Sequence, residues 1–259
     1  MRALFAAVVL FALSACGASR EDLSAVSWVQ RSSEYAALVR GVYHNATLRL
    51  DAAIADTSST ACVEQADAQF ANLPPAIIVD VDETIVDNSP YNARLLADGA
   101  SFDGATWNAW VRERSAHALP GAVDFLQAAA RAGVTVFYVT NRDHAVEAAT
   151  AANLRELGFP FPADSELDVL LTKNEYDADS SNKVARRKRV AANYRIVMLC
   201  GDDLGDFLPV HGMSEAGRAA GVEAHAEWWG QRWHVLPNPV YGSWERLVGD
   251  KMAGLRTQR

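Results

Sequence analysis

Three short segments of this sequence place polar side chains directly after a run of apolar residues. They are D-V-D-E-T at 80–84, T-N-R at 140–142 and G-D-D-L-G-D at 201–206. A single D-x-D pair is a weak signal, because it also occurs in turns and in the metal sites of many folds. Polar clusters after three apolar runs, with Lys183 opening a helical stretch before the last one, are much harder to explain as turn chemistry.

The first segment can supply both the nucleophile and the acid of a phosphoryl transfer. A phosphate monoester resists attack because its oxygens repel a nucleophile, so its hydrolysis needs positive charge, in-line placement and a proton for the leaving oxygen. Asp80 can attack phosphorus to form an aspartyl-phosphate. Asp82 points the same way if the chain stays extended, and it can protonate the leaving oxygen and later activate water.

The acidic residues of the first and third segments can hold a metal ion. Carboxylates crowded around a phosphate need a cation, and an all-oxygen set of ligands suits Mg²⁺. We expect the ligands to be the Asp80 carboxylate, the Asp82 backbone carbonyl and the Asp202 carboxylate. Asp206 would hold a water of the ion or orient Lys183. The alternative is that Asp202 and the next aspartate cap the following helix while Asp206 lies at the surface.

The remaining polar residues of the predicted site would act on the phosphoryl oxygens. Lys183 would supply a point charge, and the Thr140 hydroxyl and the Asn141 backbone amide would donate hydrogen bonds. Lys183 also has a plainer interpretation, because it opens the basic run 183–189 and such runs are usually solvated helix faces. The combined spacing of these residues favours a functional role.

The elements that position these segments are predicted to be strands of a parallel sheet. Short continuous apolar runs are typical of strands buried on both faces, and they occur at 76–81, 134–139, 169–171 and 196–200. Helical stretches lie between them at 122–132, 144–157 and 183–193. This alternation predicts right-handed β-α-β units and therefore an α/β fold with a doubly wound parallel sheet, in which ligands bind beyond the carboxyl ends of the strands.

Residues 24–70 have a different character, being rich in alanine and lacking any strand-like run. Tyr35, Leu38, Val39 and Tyr43 fall on one helical face. The spacing predicts two helices packed on the core, with these tyrosines as packing residues.

The first residues have the layout of a secretory signal. Arg2 precedes the apolar run 3–13, which is too short to span a bilayer comfortably. The segment L-S-A-C ending at Cys16 resembles a bacterial lipobox, so we expect residues 1–15 to be removed, Cys16 to carry lipid and 16–23 to form a linker. Gly17, rather than an aspartate, follows this cysteine, and this resemblance to bacterial lipoproteins suggests the outer membrane as the destination. The sequence thus predicts an exported protein anchored by lipid in the outer membrane, facing the periplasm or the cell surface.

Charge and cysteine content limit the possible partners. The net charge of −8 argues against nucleic-acid polymers as ligands, although a local metal ion and a lysine can still attract small anions. If Cys16 is lipidated, Cys62 and Cys200 can form a disulfide in an oxidising compartment or remain buried thiols. The histidines show no spacing typical of a zinc site, so they are assigned no metal.

The sequence resembles the haloacid dehalogenase superfamily, whose four motifs would be D-V-D-E-T at 80–84, Thr140, Lys183 and G-D-D-L-G-D at 201–206. Within it, the chain is similar to the class C acid phosphatases, which include bacterial lipoprotein 5′-nucleotidases. The closer likeness rests on further segments. They are D-V-D-E-T-I-V-D-N-S-P-Y at 80–91, W-N-A-W at 107–110, P-G-A at 120–122, T-N-R at 140–142, L-P-N at 236–238 and Tyr241-Gly242. The resemblance covers about residues 76–245.

This resemblance implies a Rossmann-like phosphatase domain at 73–259, preceded by a helical segment at 24–72 and carrying a small helical cap inserted at about 87–118. It implies Mg²⁺-dependent hydrolysis of small phosphate monoesters, with nucleoside 5′-monophosphates as the expected substrates. Trp107, Trp110 and Tyr241 would form an aromatic surface for the leaving group. Packing of the cap is the alternative role for the two tryptophans.

Other classes of function stay open at this stage. A lipid-anchored binding protein for haem or a nucleotide, on an inactive phosphatase fold, is the main alternative, and the intact acidic set argues against it. A phosphotransferase or a phosphate acceptor resembling a response regulator is a third possibility. The export signal disfavours a cytoplasmic signalling role.

Overall fold

The computed structural model describes residues 20–163, 166–176 and 181–248, so the signal-like segment and Cys16 lie outside the described residues. Seven strands occur among the described residues. They are β1 (Pro75–Val79), β2 (Val86–Asp87), β3 (His117–Ala118), β4 (Thr135–Asp143), β5 (Leu170–Lys173), β6 (Arg195–Gly201) and β7 (Trp233–Val235). Five of them form one sheet in the order β5-β4-β1-β6-β7. All its neighbouring strands are parallel, which confirms the predicted fold class.

Helices cover this sheet on both sides. Those in the described part of the chain are α1 (Arg20–Arg31), α2 (Ser33–Ala55), α3 (Ser89–Asp98), α4 (Gly104–Glu113), α5 (Ala122–Arg131), α6 (Glu147–Glu156), α7 (Val184–Ala191), α8 (Glu215–Ala224) and α9 (Glu245–Val248). Right-handed crossovers place α5 and α6 on one face, since those connections lead from β1 towards β5. The crossovers through α7 and α8 lead the opposite way and therefore lie on the other face.

Strand burial explains why the apolar runs form the centre of the molecule. Residues Ala76 to Val79 of β1 and all of β6 are buried. The strand β4 is longer than its apolar run, because it continues through Asp143 with an irregularity in its pairing to β5 after Val139. T-N-R at 140–142 therefore lies inside the end of the strand rather than after it.

The N-terminal helix α2 packs against α5 and against β6 and β7. Its buried side includes Tyr35, Val39 and Tyr43, as expected, but Leu38 is 52% exposed, so the prediction was wrong there. At about 100° per residue, Leu38 lies roughly 100° from the centre of the buried stripe. The Tyr43 hydroxyl donates to the Thr84 carbonyl at 2.5 Å, which ties this helix to the turn after β1.

A small helical layer lies over one end of the sheet. The strands β2 and β3 pair antiparallel, with Val86 opposite Ala118 and Asp87 opposite His117. The helices α3 and α4 run between these strands, in the segment where the sequence predicts a cap. The domain boundaries remain predictions.

Cys62 and Cys200 are both buried and carry free thiols, so the possible disulfide between them is not formed. Within 20–163, 166–176 and 181–248, no helix is both long and apolar enough to span a membrane.

Candidate active site

A buried lysine joins two of the predicted carboxylates. Asp80 follows the last residue of β1, and its backbone N–H donates to the Cys200 carbonyl at 3.0 Å, continuing the pairing with β6. The Lys183 ammonium donates to Asp80 Oδ1 and, at 2.6 Å, to Asp206 Oδ1. All three side chains are buried. Residues from three separate segments thus converge at the carboxyl edge of the sheet, as the sequence predicts.

The electrostatics of this cluster are dominated by burial. Burial is the main cause that raises the pKa of Asp80, Lys183 lowers it, and Asp206 and Asp82 raise it, with a net value of about 7. Burial, followed by Asp80 and Asp206, also raises the pKa of Asp202 well above its usual range. For Lys183, burial lowers the pKa, but the two carboxylates outweigh it and the net shift is upward. The cluster carries more negative than positive charge and would be stabilised by a cation.

The carboxylates are arranged as a possible metal site. One oxygen from each of Asp80, Asp202 and Asp206 lies within 4.8 Å of the others. Asp202 is held in place by the Thr84 hydroxyl at 3.0 Å and by the Asn238 amide at 2.8 Å. An all-oxygen set of this kind fits a divalent cation such as Mg²⁺. The Asp82 carbonyl remains a predicted ligand.

The three aspartates of the loop after β6 make different contacts and therefore have different roles. Asp203 accepts from the Gly205 N–H at 2.7 Å, and its own N–H donates to Asp206 Oδ2 at 3.0 Å, which completes a capping box. The capping alternative is therefore right for Asp203. Asp202 faces Asp80 instead, and Asp206 is buried rather than at the surface.

Asp82 is surrounded by hydrogen-bond donors. Arg142 Nε and Nη2 lie 2.9 and 2.8 Å from Asp82 Oδ1, and the Asn88 amide donates to the same oxygen at 2.9 Å. Thr140 is fully buried with its hydroxyl 3.5 Å from Asp82 Oδ2, which is long for a hydrogen bond. The sequence did not identify Arg142 as a contact of Asp82. Only its place two residues after Thr140 on the same strand offered a signal.

The basic run on α7 faces inward at three positions, so the solvated-face interpretation is wrong there. Besides Lys183, the buried Arg186 donates to the Thr140 carbonyl and, at 2.8 Å, to Asn141 Oδ1. Arg187 donates to the carbonyls of Gly205 at 2.7 Å and Asp206 at 3.1 Å. The signal was their spacing, since residues three and four apart share a helix face. The Asn141 side chain is exposed and does not reach Asp80 through any observed hydrogen bond.

The aromatic residues of the cap differ in accessibility. Trp107 is half-buried, with its ring 5.1 Å from that of Tyr91. Trp110 is 3% exposed and its indole N–H donates to Asn88 Oδ1 at 2.8 Å, which favours a packing role. Phe102, which the sequence did not single out, is 68% exposed with its ring 6.1 Å from Trp107.

Tyr241, in the segment after β7, contacts the first of the three polar segments. Its hydroxyl donates to Glu83, a buried residue with a left-handed φ of 53°. Burial, with Asp82 adding to it, raises the pKa of Glu83 to about 8. Tyr241 is half-buried.

A parallel sheet whose first strand ends in the D-x-D pair, with a lysine and an acidic loop from later elements, defines a phosphatase-like site of the haloacid dehalogenase type. Residues 9–244 match the family described as HAD superfamily, subfamily IIIB (Acid phosphatase). The chain belongs to this family, and the family resemblance is confirmed.

Similar proteins include bacterial and plant members. The class C acid phosphatase of Bacillus anthracis, solved with tungstate bound, has a TM-score of 0.79 and 31% identity over 92% of this chain and 98% of its own. Acid phosphatase 1 of Solanum lycopersicum is 28% identical over 166 residues, which is 63% of this chain. The Stem 28 kDa glycoprotein of Glycine max is 26% identical over 169 residues. The matched regions span only 57% and 58% of these two plant proteins.

Gly201 allows the Asp206 carboxylate to pack against the end of β6. A Cβ at this position would overlap the Asp206 side chain. Gly201→Ala should therefore displace Asp206 and lower the free energy of unfolding by about 1–3 kcal/mol, as expected of overpacking. Denaturant unfolding measures this loss. Gly41→Ala is the control, since its Cβ would contact nothing within 4 Å, and an equally large loss there would contradict the explanation.

Proposed function

We propose that this chain is an acid phosphatase that hydrolyses small phosphate monoesters through an aspartyl-phosphate on Asp80. The observation that carries the proposal is the buried contact of Asp80 with Lys183, beside the carboxylates of Asp202 and Asp206. Family membership supports it, since the matched family is one of acid phosphatases. The Bacillus anthracis relative was solved with tungstate, a tetrahedral oxyanion like phosphate, which supports an oxyanion ligand for this chain as well.

The proposed reaction has two steps. In the first, an Asp80 carboxylate oxygen bonds to phosphorus while the bond to the leaving oxygen breaks, and Asp82 gives its proton to that oxygen. In the second, Asp82 takes a proton from a water molecule that attacks phosphorus, which releases phosphate and restores Asp80. Lys183 neutralises the phosphoryl oxygens, and Thr140 and Asn141 donate hydrogen bonds to them.

Asp80→Asn tests the nucleophile. The variant should fold normally but lose at least about a thousandfold in kcat on p-nitrophenyl phosphate, because an amide oxygen is a poor nucleophile. Asp98→Asn, an exposed change at the end of α3, should keep full activity. Appreciable turnover by Asp80→Asn would remove Asp80 from this role. A wild-type protein that releases no phosphate would favour the alternative of a binding protein.

We further propose that the divalent ion is Mg²⁺, held by Asp80, Asp202 and the Asp82 carbonyl, with Asp206 close by. When bound, the ion offsets the charge of the phosphate and of the carboxylates around it. Its binding would offset the burial and the repulsion from Asp80 and Asp206, which together raise the pKa of Asp202.

Removing one carboxylate tests the metal site. Asp202→Ala should raise the Mg²⁺ concentration for half-maximal rate by about tenfold or more, and EDTA should abolish the activity of the wild type. Asp124→Ala, at an exposed position on α5, should leave the Mg²⁺ requirement unchanged. Activity that survives EDTA would contradict the metal assignment.

Nucleoside 5′-monophosphates are the proposed substrates because exposed or half-buried aromatic rings lie at the edge of the site. Trp107, whose ring lies 5.8 Å from the Arg142 guanidinium, is a neighbour of Phe102 on the cap, and Tyr241 contacts Glu83. Aromatic faces stabilise stacked bases by about 1–3 kcal/mol each. The pair Trp107 and Tyr241 therefore keeps its predicted role in this proposal, whereas Trp110 is too buried to offer a free face.

Trp107→Ala should lower kcat/KM for nucleoside monophosphates by about tenfold, while glycerol phosphate, which has no ring, should lose almost nothing. The comparison separates recognition of the base from the chemical step. Equal losses for all esters would mean that Trp107 only packs the cap. A wild-type enzyme that does not prefer nucleotides over glycerol phosphate would contradict the nucleotidase proposal and leave the phosphatase proposal intact.

We also propose that the protein is exported and anchored in the outer membrane through lipid on Cys16. The support is the signal-like run 3–13 and the lipobox-like segment before Cys16. Cys16→Ser should leave catalysis unchanged and release the protein from the membrane fraction. A variant that still sediments with outer membranes would show that another feature holds it there.

A further inference from the structure

The two carboxylate oxygens of Asp82 have very different surroundings. Oδ1 accepts from Arg142 Nε at 2.9 Å, Arg142 Nη2 at 2.8 Å and Asn88 Nδ2 at 2.9 Å. Oδ2 makes one hydrogen-bond contact with the residues that the structure describes, to the Thr140 hydroxyl at 3.5 Å. A carboxylate oxygen with three donors has no room for another partner, so one oxygen of Asp82 is fully occupied and the other is open.

The Arg142 side chain is buried beside Asp82 and does not lie at the surface. Its side chain is 1% exposed, and its Nη1 lies 3.4 Å from the Thr150 hydroxyl. A planar guanidinium held at both ends offers a carboxylate one fixed geometry. Rotation of the Asp82 carboxylate would break these charge-assisted hydrogen bonds.

Asn88 connects the same carboxylate to the cap. Its Oδ1 accepts from the Trp110 indole N–H at 2.8 Å and from Arg142 Nη2 at 3.3 Å, which directs its amide nitrogen towards Asp82. The Asn88 side chain is fully buried. Trp110 lies on α4, so a helix of the cap determines which way the Asn88 amide points.

We propose that Arg142 and Asn88 are positioning residues that hold Asp82 Oδ1 and thereby present Oδ2 to the leaving oxygen, with the Trp110 N–H fixing Asn88. This inference rests on the proposed function, in which Asp82 is the general acid. Correct placement is decisive for proton transfer, because the acid must lie within hydrogen-bonding distance of the leaving oxygen. Trp110, a predicted substrate contact, thus acts through the cap and Asn88 instead.

The test compares kcat/KM for two esters that differ in their need for an acid. Arg142→Lys keeps the positive charge but removes the planar guanidinium that donates two hydrogen bonds to Asp82. It should lower kcat/KM for glycerol phosphate by about tenfold to a hundredfold, which does not exceed the rate enhancement that a general acid provides. p-Nitrophenyl phosphate, whose leaving group departs without a proton, should lose less than about threefold. Equal losses for both esters would mean a merely structural role and would overturn the proposal.

Trp110→Phe removes the indole N–H together with part of the ring volume but keeps an aromatic side chain, so it serves even if Arg142→Lys does not fold. It should show the same selective loss on glycerol phosphate, of about threefold to tenfold. Arg114→Lys is the matched control, since Arg114 forms an exposed ion pair with Glu156. That variant should hydrolyse both esters at the wild-type rate. Unchanged glycerol phosphate hydrolysis by Trp110→Phe would overturn the role of the cap.

A double variant shows whether Arg142 acts through Asp82. In an Asp82→Asn background, Arg142→Lys should add less than about a threefold loss on phenyl phosphate, since residues that act as a unit are not additive. Losses that multiply would contradict the proposal. Wild-type activity on p-nitrophenyl phosphate separates failure of the proposed function from failure of the positioning role. A wild type that is inactive on this ester overturns the proposed function. An active wild type whose variants lose equal activity on both esters overturns only the positioning role of Arg142 and Asn88.

Discussion

The contact of Lys183 with Asp80 and Asp206 is the interaction on which the rest of the site depends. Buried carboxylates repel one another, and Asp80, Asp202 and Asp206 lie close together with one ammonium group among them. Removing that charge would leave uncompensated anions in a region of low dielectric. The position of α7 is therefore constrained, because its N-terminal end must bring Lys183, the residue before the helix, to the end of β1 and Arg187 to the backbone of the acidic loop.

The order of the strands explains how separate segments form one site. β1 lies at the centre of the sheet between β4 and β6, so Asp80 has Thr140 on one side and Asp202 on the other. The crossovers from β1 to β4 and from β5 to β6 run in opposite directions along the sheet, and a crevice therefore opens between the carboxyl ends of β1 and β6. The cap adds a second constraint from above, because Trp110 and Asn88 link its helices to Asp82.

The sequence predicted the central strands and the residues at their ends, because buried parallel strands have continuous apolar runs and polar residues at their ends stand out. It did not predict β7, which is only three residues long and lacks such a run. The inward direction of Arg186 and the contact of Arg142 with Asp82 were also missed. Both depend on partners 46 and 60 residues away in the chain. Helical periodicity indicates which face of a helix is apolar but not what packs against it.

The two buried cysteines have a consequence for the chemical durability of the fold. Burial raises the pKa of both thiols, and Glu64 adds to the effect at Cys62. Thiol reagents and disulfides react with the accessible thiolate, which neither residue offers while the sheet is closed. Thiol modification must therefore wait for an opening of β6 and of the segment that pairs with it. The rate of labelling at Cys62 and Cys200 therefore reports how often the sheet that carries the acidic loop opens locally.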